Sequence, residues 1–145
     1  SSLVAAETIV AQFTLPANLL AAGSLLELDV MGRVSSNATL AWRVRIGTAG
    51  TTADPLVITF TTSGAGAANA HSRVKAMIAC LTAGAAGTAV GNGQAQLVSA
   101  VVGKATGVVA GTVGNATVAL KVSVSVIQSV AQTYTTQVGV LRKIA

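Results

Sequence analysis

Strict alternation of apolar and polar side chains marks residues 39–50, TLAWRVRIGTAG, as a β-strand. Successive strand residues point to opposite faces of a sheet. One face carries Leu40, Trp42, Val44 and Ile46, and the other carries Ala41, Arg43 and Arg45. The pattern predicts a central strand with one buried and one solvated face, as in the antiparallel sheets of β-sandwiches.

The same alternation recurs along the chain and predicts the other strands. They cover residues 7–14, 24–34, 56–61, 71–81, 88–102, 115–127 and 135–144, the last as an edge strand with basic residues at its end. Gly91 and Gly93 predict a bulge in their strand. Residues 103–114 are expected to be loop-like, with room for a short strand. The short turn before residue 39 favours a meander of the strands on either side.

About eight strands without a helical period predict an all-β fold. We expect an antiparallel β-sandwich, jelly-roll-like, with residues 1–145 forming a single domain. Hydrophobic residues make up 52% of the chain and aromatic residues only 3%, so the core must consist mainly of Val, Ala, Leu and Ile. Charged residues make up only 9%. So little surface charge predicts an oligomer, whose contacts cover uncharged surface.

The formal net charge of +5 favours an anionic partner. Nucleic acid is not the expected partner, because the cations are spread over several strands and stacking aromatic residues are scarce. Two basic pairs are the candidate partner-binding residues: Arg43 with Arg45, and Arg73 with Lys75. Each pair lies on one strand face, no acidic residue is close to it in sequence, and the pairs combine if their strands share a sheet. The alternative interpretation is an ordinary solvated face.

Catalytic, cofactor and metal sites are not expected. His71 is the single histidine, and the four carboxylates, Glu7, Glu27, Asp29 and Asp54, are scattered. Glu27 and Asp29 share a strand face in the manner of a glycosidase pair, but surface charge is the preferred interpretation. The glycines form no phosphate-binding loop.

The single Cys80 excludes an internal disulfide. Strand parity places Cys80 on the apolar face and His71 on the opposite one, which argues against a nucleophile pair and for a buried thiol. The N-terminal residues lack the features of a secretion signal, and no transmembrane helix or membrane partner is expected.

Residues 14–57 carry a resemblance to a known family. The stretches LPANLLAAG, MGRV, WRVRIG and TAGTTADP resemble a jelly-roll module of tailed-phage virion proteins. The resemblance implies a virion structural role, as a capsid decoration or cement protein, a head fibre or a tail-fibre part, and assembly as a homotrimer. It marks a fold and carries no catalytic motif.

The main hypothesis is therefore a non-enzymatic capsid decoration protein that binds and stabilises the major capsid protein shell. Its expected location is the capsid exterior of a virion assembled in the host cytoplasm, and a chain of this size without a long fibre-forming segment favours decoration. The alternative is a tail-fibre, head-fibre or receptor-binding module that recognises host surface glycans. A glycan-active enzyme is disfavoured by the poor inventory of acids, bases and metal ligands.

Overall fold

The structure is a computed structural model that describes residues 2–3, 6–35, 39–60, 68–97, 101–107, 109–114, 117–128 and 132–145. The described residues form eleven β-strands and no helix. The strands are β1 (Ser2–Leu3), β2 (Thr8–Leu15), β3 (Leu25–Val34), β4 (Leu40–Gly47), β5 (Leu56–Phe60), β6 (His71–Thr82), β7 (Gly87–Leu97), β8 (Val101–Gly107), β9 (Val109–Gly114), β10 (Leu120–Gln128) and β11 (Gln132–Lys143).

Eight of these strands form two packed antiparallel sheets. Sheet I has the order β2, β10, β4, β5, and sheet II has the order β11, β3, β6, β7. Along one side, β8 pairs with both β7 and β5 and so joins the two sheets. The prediction of an all-β antiparallel sandwich is confirmed. The connections from β2 to β3, from β3 to β4 and from β5 to β6 each pass from one sheet to the other, which is the jelly-roll-like feature of the chain path.

The core lies between the inner faces of the two sheets. Trp42 and Val44, which the alternation predicts to point inwards, are buried, and alternation along the other strands likewise predicts the burial observed for Ile78, Val122 and Val124. On sheet I, β10 lies between β2 and β4 and pairs Val124 with Val44 and Val126 with Trp42. Because these side chains alternate with outward-facing ones, burial of every second residue fixes the register of each strand.

The predicted meander is wrong, because β3 lies in sheet II and β4 in sheet I. The partner of β3 is β6 on one side and β11 on the other. Alternation predicts which face of a strand is buried but carries no information about which strand lies beside it. A meander of β3 with β4 and the observed placement of the two strands in different sheets would bury the same residues.

The predicted bulge at Gly91 and Gly93 is also wrong. The pairing of β7 with β6 is regular through both glycines, and its register shifts near Cys80 instead. A methyl group on Gly91 would clash with the Ile58 side chain of β5, so this glycine permits a close approach of the two sheets. The two sheets approach each other here on the side of the sandwich that β8 and β9 cover. Most of β8 and all of β9 lie in residues 103–114, the segment expected to be loop-like.

A polar group is enclosed in the core beside Trp42. The Tyr134 hydroxyl lies 2.8 Å from the Ser72 hydroxyl, and its ring occupies the space that a side chain at residue 32 would fill, which accounts for Gly32. Burial raises the pKa of Tyr134, against smaller opposing effects of Ser72 and of the Trp42 indole. The indole N–H faces this hydroxyl without reaching standard hydrogen-bond geometry.

Cys80 is buried on the inner face of β6, as its strand parity predicts. Burial raises the pKa of the thiol, which lowers the fraction of reactive thiolate. We expect Cys80 to resist thiol reagents in the native protein and to react fully in denaturant. A labelling time course followed by mass spectrometry checks this, and rapid native labelling would contradict it.

Candidate functional site on two outer faces

The outer face of sheet I holds a carboxylate clamp, which we define as Glu7, Arg43, Arg45 and Ser125. Arg45 donates hydrogen bonds of 2.7 and 2.9 Å to the two Glu7 oxygens, and Arg43 Nη1 donates a third of 2.9 Å. The Ser125 hydroxyl donates a short fourth bond. The Arg45 and Glu7 side chains are each only 12% exposed, so the clamp is largely shielded from water.

The clamp also holds the loop between β4 and β5. Arg45 Nη1 donates a 2.7 Å bond to the main-chain carbonyl of Asp54. The Asp54 carboxylate in turn accepts main-chain N–H bonds from Ala49, Gly50 and Thr51. Arg45 therefore fastens the segment before β2 and the β4–β5 loop to the same strand, which is a structural role.

The charge of Glu7 is stabilised by its partners. Burial by itself would raise the pKa of Glu7, but the hydrogen bonds from Arg45 and Ser125 and the positive charge of Arg45 outweigh it and lower the pKa from 4.5 to about 2. A carboxylate held in this way stays ionised at neutral pH and is unsuited to act as a general acid.

The outer face of sheet II carries the second basic pair. Arg73 donates hydrogen bonds of 2.9 and 2.6 Å to the two oxygens of Asp29, across the β3 and β6 strands. This bidentate bond is the main cause that lowers the pKa of Asp29. Lys75 lies directly opposite Asp29 in the strand register and is exposed.

The two basic pairs do not form one surface. Arg43 and Arg45 lie on β4 in sheet I, whereas Arg73 and Lys75 lie on β6 in sheet II, so the pairs occupy opposite outer faces of the sandwich. No acidic residue is close to either pair in sequence, but the fold brings Glu7 to Arg43 and Arg45, and Asp29 to Arg73. Glu7 is 38 residues from Arg45 in sequence, and only strand pairing brings them together.

The outer face of sheet II has the larger number of exposed cations. On strands β3, β6 and β11 of this face, strand register places four cations against two carboxylates, an excess of two positive charges. The cations are Arg33, Arg73, Lys75 and Arg142, and the carboxylates are Glu27 and Asp29. Such an excess favours contact with an acidic surface.

A shallow trough of about 490 Å³ crosses β6 and β7 on this face. Its walls include Glu27, Lys75, Met77, Asn92 and Gln94. The alternation of the sequence does not mark these amides as site residues, but the short turn before residue 88 is a signal from which a hairpin could be inferred. A hairpin at that turn places Asn92 opposite Met77 and Gln94 opposite Lys75, as observed.

The described residues contain no group of three or more metal-binding side chains. His71 is exposed at the start of β6 and forms a 3.1 Å hydrogen bond with Gln137. Cys80 is buried near the other end of the same strand. Glu27 pairs with Arg142 at 3.2 Å and Asp29 with Arg73 at 2.6 Å. The two carboxylates that share a face as in a glycosidase are therefore each held by an arginine.

The described part of the chain includes no helix of the length and apolar character that membrane crossing requires. Comparisons of the chain with protein-family models, with curated proteins and with solved structures find no match.

Proposed function

We propose that this chain is a non-enzymatic structural protein of a tailed-phage virion, which decorates the capsid exterior by binding the major capsid protein. The family resemblance of residues 14–57 suggests the virion setting. The outer face of sheet II, with its excess of positive charge, is the proposed capsid-binding face. Arg73 and Lys75 are its central cations.

The observation that supports a structural role is that every carboxylate side chain is bound within the chain. All four carboxylate side chains of the chain are engaged: Glu7, Glu27 and Asp29 with arginines, and Asp54 with main-chain amides. A carboxyl group that acts as a general acid works best when its pKa lies near the working pH. The pKa values of Glu7 and Asp29 are shifted in the opposite direction.

Binding to capsids that lack the protein tests this proposal. We expect Lys75→Ser to slow association most at low salt, because contact charges govern the association rate and are screened over about 10 Å at 0.1 M salt. Co-sedimentation and the rate of binding at several ionic strengths are the measurements. Lys75 is the suitable position because its removal, unlike that of Arg43 or Arg45, leaves the clamp of sheet I intact.

Lys121→Ser is the matched control, since it removes one positive charge from sheet I. Wild-type protein that fails to bind these capsids would refute the proposed function. Equal effects of the two substitutions at every salt concentration would refute the assignment to sheet II.

The second candidate function is recognition of host surface glycans by a tail-fibre or head-fibre module. The trough on sheet II favours it, because Lys75, Asn92 and Gln94 offer hydrogen-bonding groups to sugar hydroxyls beside the apolar Met77. Binding of the wild type to immobilised host glycans, lost in a folded Asn92→Ala/Gln94→Ala variant, together with no binding of the wild type to capsids, would support this function over decoration.

A further inference from the structure

We infer that the open side of the sandwich is the surface on which a second copy of this chain docks. The open side is defined by the unpaired edges of β2 and β11, on the side away from β8. This inference deepens the proposed function, because it locates the subunit contact of the expected oligomer.

Both edges of the open side lack a partner strand over most of their length. Within the described residues, β2 pairs only with β10, and β11 pairs with β3 on one side and with β1 at Gln132 and Thr133 alone. Unpaired strand edges present main-chain N–H and C=O groups that readily bind another chain. The opposite side of the sandwich is covered by β8 and β9.

Large apolar side chains border the open side. On β11, Val138 is 51% exposed and Val140 is 39% exposed, and the register with β3 places both on the outer face of sheet II, at its rim beside this edge. Ile144, just beyond the strand, is exposed as well. Proteins usually protect such an edge with charge. Here the charges of β11 are confined to its end, at Arg142 and Lys143, and the middle of the strand has none.

The two edges are held close to each other within one copy. The Thr136 hydroxyl donates a 2.6 Å bond to the carbonyl of Val10 in β2. The Phe13 ring lies beneath Gly139, where an added methyl group would meet it at 3.0 Å. Phe13 thus packs against the inner face of β11 and closes this side of the core. The outer face of β11 at Gly139 stays exposed.

The charge distribution favours a second copy as the occupant. Each copy has a formal charge of +5, so approach through the charged outer faces is repulsive. The four carboxylates are occupied within their own chain and are not free to pair with cations of a neighbour. The strip formed by β2 and by β11 up to Leu141 contains no charged residue. Copies can meet there without repulsion, whereas an acidic partner is attracted to sheet II.

Mass measurement of the full chain in solution tests the inference. Wild-type protein should be an oligomer by analytical ultracentrifugation, with a homotrimer expected. Val138→Lys/Val140→Lys should weaken self-association by at least about tenfold, because docking would then bury unpaired ammonium groups. Circular dichroism confirms that the variant is folded.

Met77→Lys/Leu81→Lys is the matched control. Met77 is 37% exposed and Leu81 is 49% exposed, so the chemical change and the exposure are similar. Both residues share the outer face of sheet II with Val138 and Val140, but they lie on β6, two strands away from the β11 edge. The control should keep the wild-type mass. A monomeric wild type at its highest soluble concentration, or equal dissociation of the two variants, would overturn the inference.

Hydrogen exchange of the wild type gives a second test that needs no variant. Protection of the β11 amides should increase with protein concentration, and protection that does not change would contradict docking there. The capsid assay is independent of both tests. An oligomer that ignores capsids refutes only the proposed function, and a monomer that binds them refutes only this inference.

Discussion

Trp42→Ala is expected to lower the free energy of unfolding by about 3 to 5 kcal/mol, the range for truncating a buried large aromatic residue. The Trp42 side chain is completely buried and lies opposite Val126 in the register of β4 with β10. In a core with so few aromatic residues, small neighbours cannot fill the space of an indole. The loss therefore includes both the transfer of apolar surface and the cavity that remains.

Denaturant unfolding at a fixed protein concentration measures this change. The midpoint should fall while the denaturant slope stays near its wild-type value, which shows that only stability has changed. Leu81→Ala, at an exposed position on β6, should change stability by less than about 0.5 kcal/mol. A loss at Trp42 no larger than that of this control would show that the indole is not part of the core.

The sequence predicted the buried faces well because burial leaves a direct signal. In β4, each inward residue is apolar and each outward residue is small or basic, so the period of two is unbroken. The same holds for β3, where Leu26, Leu28 and Val30 alternate with Glu27 and Asp29. For β3 and β4, the approximate bounds and the inward residues follow from such local patterns without knowledge of the neighbours, whereas the bounds of β7, β8 and β9 do not.

Strand partners could not be predicted in the same way, and the site depended on them. Arg43 and Arg45 are adjacent outward residues of one strand, which suggested a basic surface. Their actual surroundings include Glu7, which lies on another segment and forms an ion pair with each of them. Gly91 shows the same limit, since the reason for a glycine there is Ile58 on a strand of the other sheet.

Glu7→Gln should destabilise the protein by about 2 kcal/mol at neutral pH. Removal of one member of a fully buried ion pair costs about 3 to 5 kcal/mol, and the cost is smaller here because Arg43 is partly exposed. Glutamine keeps the shape of the side chain but not its charge, so Arg45 loses its ionic partner in a shielded position. Glu27→Gln is the control, because the Arg142 with which Glu27 pairs is more than half exposed. Its effect should be much smaller.

The pH dependence gives the more specific test of the clamp. The pKa of Glu7 is about 2 in the folded protein, against 4.5 for an unperturbed glutamate. Because the folded pKa is the lower one, the stability that ionised Glu7 contributes is fully present above about pH 4.5 and is lost as the pH falls towards 2. Urea unfolding across this interval should show a decline in wild-type stability that is clearly shallower in Glu7→Gln. The decline should not vanish, because the pKa of Asp29 is lowered as well. Parallel curves for the two proteins would mean that Glu7 titrates normally and that the clamp does not hold in solution.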